Sequence, residues 1–125
     1  MSDRFRVEAF LPLKPSTSMV LLALAEGPSH GYAVRAWIQR RSGGSLELGT
    51  GQLYRLLARL LDRGWLEESP APKDEAKDDP RRRYYRLTPI GHQVLRAEAA
   101  RLEELVRLSR RLGVLGEEAA IGGRQ

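Results

Sequence analysis

Arg81, Arg82, Arg83 and Arg86 lie within six residues of one another, with Tyr84 and Tyr85 between them and Leu87, Thr88 and Pro89 directly after. Guanidinium forks keep their charge at any cellular pH and pair with phosphate oxygens through two hydrogen bonds at once. A dense cationic strand that breaks into a helix can therefore run along a phosphate backbone. The same pattern also suits a solvated edge strand, where like charges discourage pairing between sheets. A second polar set lies upstream. Gln52, Arg55 and Arg59 are spaced three and four apart and so share one stripe of a helix. Gln grips adenine and Arg grips guanine through paired hydrogen bonds, at roughly 1–3 kcal/mol of discrimination each. The plain alternative is a solvated helix face. Thr50, at the start of that helix, can offer a hydroxyl or a backbone N–H to phosphate, or act as a local cap in rivalry with Gly49. Two such sets in one short chain favour nucleic acid as the partner.

The bulk numbers agree and exclude much else. The chain has 125 residues, 42% of them apolar, which suits one domain with a modest core. Net charge is +5, which favours a polyanionic partner without specifying a fold. There is no cysteine, so disulfides and thiolate metal sites are ruled out. His30 and His92 lie far apart and lack the spacing of a metal centre. No nucleophile–base pair appears, and Gly43-Gly44 lacks the other parts of a nucleotide site. The expectation is a protein that is not an enzyme and uses neither metal nor cofactor. With no membrane-spanning run and no signal-peptide pattern, a cytoplasmic location is expected.

Several elements must position these side chains. Residues 1–15, with prolines at 12 and 15, read as an N-terminal arm. A first helix over 16–26 can be capped by Ser16, Thr17 or Ser18; it is apolar all round from Met19 to Ala25 and so mostly buried. Ser29 is the expected cap of a second helix reaching Arg41, with Val34, Trp37 and Ile38 on one face. Residues 45–48 alternate and can add a very short strand. A third helix over 50–63 carries Leu53, Leu56, Leu57, Leu60 and Leu61 on one stripe. Two strands follow, 65–69 and 81–88, with Tyr85 and Leu87 expected inward and Tyr84 and Arg86 outward. The loop between them is polar and acidic, and offers Asp74, Glu75, Asp78 and Asp79 as partners for some of the arginines. Thr88-Pro89 is a strong helix start, and that helix can run to Leu112 before Gly113. Twenty-four residues reach about 36 Å. Its apolar face (Leu95, Ala99, Leu102, Leu105, Val106, Leu108 and Leu112) projects past the domain and wants a partner helix.

The order of helix, helix, helix, hairpin and long helix is the plan of a winged helix-turn-helix, mainly α with a small β-hairpin. At residue level the chain resembles the PadR family of bacterial transcriptional regulators. The stretches that carry the resemblance are LLALAEGPSHGYAV at 21–34, RRSGGSLELGTGQLYRLLARLLDRGWLEE at 40–68 and RRRYYRLTPIGHQVL at 81–95. The tail over 114–125, rich in Gly and small residues, is expected to be flexible; the resemblance implies a 16–88 DNA-binding domain and an 89–113 dimerisation helix of the short-form kind. It implies a homodimer on a palindromic operator, with the third helix in the major groove and the wing on the backbone or minor groove. It also implies that the Tyr54 hydroxyl binds phosphate; a half-buried aromatic is the other reading. Gln52 stands where many members have Thr, and Trp37 where a polar residue is common.

The expected double-stranded DNA contacts are thus Thr50, Gln52, Tyr54, Arg55, Arg59, Arg81, Arg82 and Arg83. The expected dimer seam is Leu95, Ala99, Leu102, Leu105, Val106 and Leu112. Strand alternation prevents all three wing arginines from facing DNA together. The HGY triplet, His30 to Tyr32, reads as structural, holding the second helix against the first, with a contact to the nucleic-acid backbone as the lesser alternative. Trp37 and Trp65 read as core, with Trp37 also a candidate stacking platform for a small aromatic effector. The competing functional reading is an interaction adaptor or ligand sensor on the same scaffold without operator recognition.

Overall fold

The computed structural model describes residues 6–73 and 81–116. A short 3₁₀ turn at Val7–Phe10 leads into α1 (Pro15–Ala23), β1 (Ser29–His30), α2 (Gly31–Arg41), α3 (Thr50–Asp62), β2 (Leu66–Ser69), β3 (Tyr84–Leu87) and α4 (Pro89–Arg111). The fold is mainly helical with an antiparallel sheet in the order β1-β3-β2. It is a winged helix-turn-helix followed by a long C-terminal helix. Among the described residues no helix is long and apolar enough to cross a membrane.

Local chemistry sets where the helices begin. α1 opens at Pro15 with Lys14 before it and no side-chain cap, not on a hydroxyl of residues 16–18. Proline at the first helical position has a preset φ and no amide to satisfy, so it needs no cap. Burial of α1 is one-sided: Val20 and Leu21, with Leu24 just past its end, are buried, whereas Leu22 stands 46% exposed. His30 rather than Ser29 caps α2, its Nδ1 accepting the Ala33 N–H at 3.2 Å. Ser29 instead enters β1, opposite Tyr85. Residues 45–48 form no strand, because no neighbouring strand pairs with them. α4 begins as expected, with the Thr88 hydroxyl accepting the Gly91 N–H at 3.1 Å and Pro89 next.

The core lies where α1, α2, α3 and α4 meet the sheet. Leu53, Leu56, Leu57 and Leu60 of α3 pack with Val20, Leu21, Val34, Ile38, Trp65 and Val94. Burying each such side chain is worth about 1.5–3 kcal/mol. Trp65 is 1% exposed, as a core residue should be. The edge of Phe10 meets its ring at 5.2 Å, and the Arg63 guanidinium lies 5.0 Å from it. The segment before α1 is therefore docked on the body, while residues 1–5 of the expected arm lie outside the described residues. A second tie holds it. Glu98, buried on α4, accepts two hydrogen bonds from Arg101 at 2.9 and 2.8 Å and a long one from the Leu13 N–H at 3.4 Å. The Arg101 fork, helped by the Leu13 amide and opposed by burial, holds this carboxyl below its ordinary range.

Gly64, Trp65 and Thr88 join α3, the wing and α4. The Thr88 N–H donates to the Trp65 carbonyl at 3.0 Å, and the Thr88 hydroxyl donates to the Gly64 carbonyl at 2.6 Å. A side chain at Gly91 would overlap that Trp65 carbonyl, so only glycine lets α4 approach this closely. The wing also departs from simple alternation. Tyr84 and Tyr85 are both buried, at 2% and 3% exposure, although Tyr84 was expected outward. β3 is the central strand: the core covers Tyr85, and the edge of His30 covers Tyr84 at 5.3 Å. Residues 74–80, with the acidic loop partners expected for the arginines, and the tail from 117 onward lie outside the described residues.

Candidate nucleic-acid interface

α3 turns its leucines inward and leaves Thr50, Gln52, Tyr54, Arg55 and Arg59 exposed. Gly49, not Thr50, precedes the first turn as the cap residue, so the Thr50 hydroxyl has no capping duty. Gln52 has one. Its Oε1 accepts the Gly49 N–H at 3.0 Å, which anchors the helix start and leaves the amide N–H groups and the second oxygen lone pair for other partners. The first turn therefore presents unpaired backbone amides, one hydroxyl and one amide at the positive end of the α3 dipole. Arg55 and Arg59 follow on the same side.

The wing places its cations beside this helix. Arg81, Arg82 and Arg83 are all exposed and precede the ladder, which begins only at Tyr84. Arg83 pairs with Glu68 across the hairpin, and Arg86 pairs with Glu67 at 2.8 Å. Both pairs lie in solvent, where such contacts hold weakly and give way to a stronger anion. The Glu68 hydrogen bond and nearby charge raise the Arg83 pKa further, so it is cationic at every relevant pH. The Tyr85 hydroxyl, pushed up by burial, stays protonated.

These groups meet in one cleft of about 260 Å³, lined by His30, Gly31, Tyr32, Tyr54, Arg81, Arg82, Arg83 and Tyr85. Tyr54, 45% exposed, is the bridge from α3 to the wing. Its hydroxyl lies directly over Gly31, where any side chain would displace it. Three lining residues, His30, Gly31 and Tyr32, were read from sequence as structural first and as a backbone contact only second. Tyr32 is 70% exposed and stacks on His30 at 6.3 Å between ring centres. The missing signal was β1, which carries His30 onto the wing's sheet. A phenol hydroxyl among guanidinium groups on a glycine floor is a donor set for an oxyanion such as phosphate.

Two other expected sites lie elsewhere. Trp37 is half-buried between α1 and α2, in a cleft of about 540 Å³ with Met19, Leu22, Ala23, Ala25, Glu26 and Arg41. The Arg41 guanidinium covers its ring at 5.1 Å. The apolar face of α4 splits along its length. Leu95 packs partly on the core, whereas Leu102, Leu105, Val106 and Leu112 are 42%, 57%, 40% and 76% exposed. Ala99 is exposed too, and an apolar cleft of about 420 Å³ joins it to Met19 and Leu22 of α1.

Comparison with known proteins places this arrangement. A 37.1 kDa protein of unknown role in transposon TN4556 of Streptomyces fradiae is 40% identical over 94 residues, 75% of this chain. This chain spans only 24% of that relative's length. A transcriptional regulator from Clostridium thermocellum superposes with a TM-score of 0.60 at 22% identity, over 84% of this chain and 94% of that one. Bacillus subtilis PadR in complex with operator DNA superposes at 0.57 and 21% identity, over 67% of this chain and 46% of that one. At such identities the structural matches establish the winged-helix fold. The profile of the transcriptional regulator PadR-like family matches residues 20–97, from the first helix through the wing into the start of α4, and the chain belongs to that family.

Proposed function

We propose that this regulator binds a palindromic DNA operator as a homodimer and represses by occupying it. The observation that carries the reading is the cleft in which Tyr54 of α3 meets Arg81, Arg82 and Arg83 of the wing. A phosphate seated there fixes the duplex relative to α3, so that Gln52, Arg55 and Arg59 face base edges in the major groove. Thr50 and the free amides around it face a second phosphate. Arg83 reaches DNA by exchanging Glu68 for phosphate. The exposed apolar row from Ala99 to Leu112 joins two copies, and the twofold axis makes the preferred site palindromic. That Bacillus subtilis PadR, on the same fold, is found with operator DNA supports the reading. No membrane association is part of it, and the site of action is the cytoplasm.

Selection of bound duplexes from a random pool tests this directly. The expected result is a palindrome whose affinity falls steeply with salt, one unit of slope or nearly so per phosphate neutralised. Recovery of no preferred sequence, with affinity indifferent to salt, would leave the adaptor reading in its place. A second reading concerns release. The cleft beside Trp37 has room for a small aromatic molecule stacked on its indole. Such an effector acts only by binding one dimer state better than the other. Tryptophan emission is the measurement: quenching by an aromatic compound in the wild type and its absence in Trp37→Leu is the expected pair of results, since Trp65 is buried.

A further inference from the structure

The connection between α2 and α3 is held by side chains. Residues 46–49 pair with no strand, and besides the Gln52 carbonyl on the Gly49 N–H two polar side chains from the α2 side reach in. Ser42 at the end of α2 takes the Leu46 N–H on its hydroxyl at 3.2 Å. The Arg35 Nε–H, from the middle of α2, donates to the Leu48 carbonyl at 2.6 Å. Leu48 is itself buried, and Gly49, the residue after it, is the cap of α3. Arg35 therefore grips the peptide on which the α3 start turns. A short charge-assisted bond to that carbonyl fixes the direction in which α3 leaves the turn.

We infer that Arg35 is a positioning residue for DNA recognition: it sets the angle of α3 through the Leu48 carbonyl rather than by touching DNA. This rests on the DNA-binding reading. The consequence is specific. Tilting α3 by a few degrees moves Arg55 and Arg59 away from base edges, while exposed wing arginines still find phosphates on any sequence. Loss of the bond therefore erodes discrimination more than general affinity. A residue that itself contacted phosphate would do the opposite and weaken all sequences alike.

Arg35→Met keeps an unbranched apolar stem, though a shorter side chain, and removes every donor; Arg35→Lys keeps the charge and loses the Nε–H. Affinity for the duplex selected by the wild type, affinity for an unrelated duplex, and the salt slope of each are measured for both variants. The expected result for both is a loss of about tenfold or more on the selected duplex, within about twofold on the unrelated one, at an unchanged salt slope. Equal losses on both duplexes for Arg35→Met, with the slope reduced by about 0.9 and recovery in Arg35→Lys, would overturn the inference in favour of a phosphate contact. Unchanged affinity for the selected duplex in both variants overturns it outright. Amide hydrogen exchange in the free protein separates this outcome from failure of the DNA-binding reading. Residues 49–53 should exchange faster in Arg35→Met while α4 and the core stay protected. If the wild type selects no duplex, that local change still decides whether Arg35 holds the α3 start.

Discussion

α3 and the distal half of α4 are both amphipathic helices with a leucine row on one side and charge on the other, yet their apolar rows meet opposite fates. Leu53, Leu56, Leu57 and Leu60 of α3 are all at or below 4% exposure, whereas Leu102, Leu105 and Val106 of α4, with Leu112 at its C-cap, range from 40% to 76%. The periodicity is the same; the neighbours differ. α3 lies against α2 and the sheet, while α4 after Glu98 runs beyond the body that would cover it. Amphipathic spacing thus identifies a face that seeks burial without identifying what buries it. In α3 the answer is the chain's own core, and the free polar face becomes available for a ligand. In α4 the proposed answer is a second copy.

The largest test of the contrast lies in α3. Leu57→Ala removes a side chain that is 1% exposed and should cost about 2–5 kcal/mol, read as a lower denaturant midpoint. A cost below about 0.5 kcal/mol would mean that α3 is not packed as described. Leu105→Glu is the counterpart in α4. A dimer would bury this position in both copies, so about 3 kcal/mol or more should be lost from association, over 100-fold in Kd. Sedimentation should show monomers whose far-ultraviolet dichroism is retained. If the variant stays dimeric, the seam lies elsewhere. Third, Arg55→Ala tests the polar side of α3 and should cost about 1–3 kcal/mol on the selected duplex and less on others. Competition binding measures it, and equal losses on all sequences would make Arg55 a phosphate contact.

The smallest expected effect is a pH dependence at the boundary between the two halves of α4. Arg101 and the Leu13 amide lower the Glu98 pKa in the folded state. A carboxyl with a depressed folded pKa stabilises the protein above its unfolded pKa, and that contribution fades as pH falls through the ordinary carboxylate range and below it. The wild type should therefore lose thermal stability in acid more steeply than Glu98→Gln does. Parallel curves for the two proteins would show that Glu98 titrates alike in folded and unfolded chains.

Much of this architecture was legible in sequence because short-range chemistry dictates it. The four helices were anticipated from leucine spacing and from the breaks at Gly27, Gly43-Gly44 and Gly64. The α4 start followed from Thr88-Pro89. Ser29-His30 could not be read as a strand. Two residues show no alternation, and β1 exists only because β3 returns beside it from more than fifty residues away. Residues 45–48 erred the other way, alternating as a strand should yet finding no strand to pair with. Tyr84 was misjudged for a related reason: alternation predicts two faces but not that His30 would cover the outer one. Glu98 and Arg101 carried no signal in the sequence, because the carboxyl is buried only where Leu13 and the segment before α1 fold back onto α4. Arg35 sits among the polar residues of α2, and nothing in its spacing announces a carbonyl thirteen positions on.

By itself the amino-acid order determined which segments are helical, which side of α3 and of α4 is apolar, and that cations crowd on α3 and the wing. These depend on neighbours within a turn or two, so the chain carries them whatever its tertiary shape. Only the folded chain decided that Tyr54 and the wing arginines share one cleft over Gly31, that Arg35 holds the turn before α3, and that one leucine row is covered while the other is bare. Each of these depends on surfaces brought together across long stretches of sequence, and packing rather than local preference selects which surfaces meet.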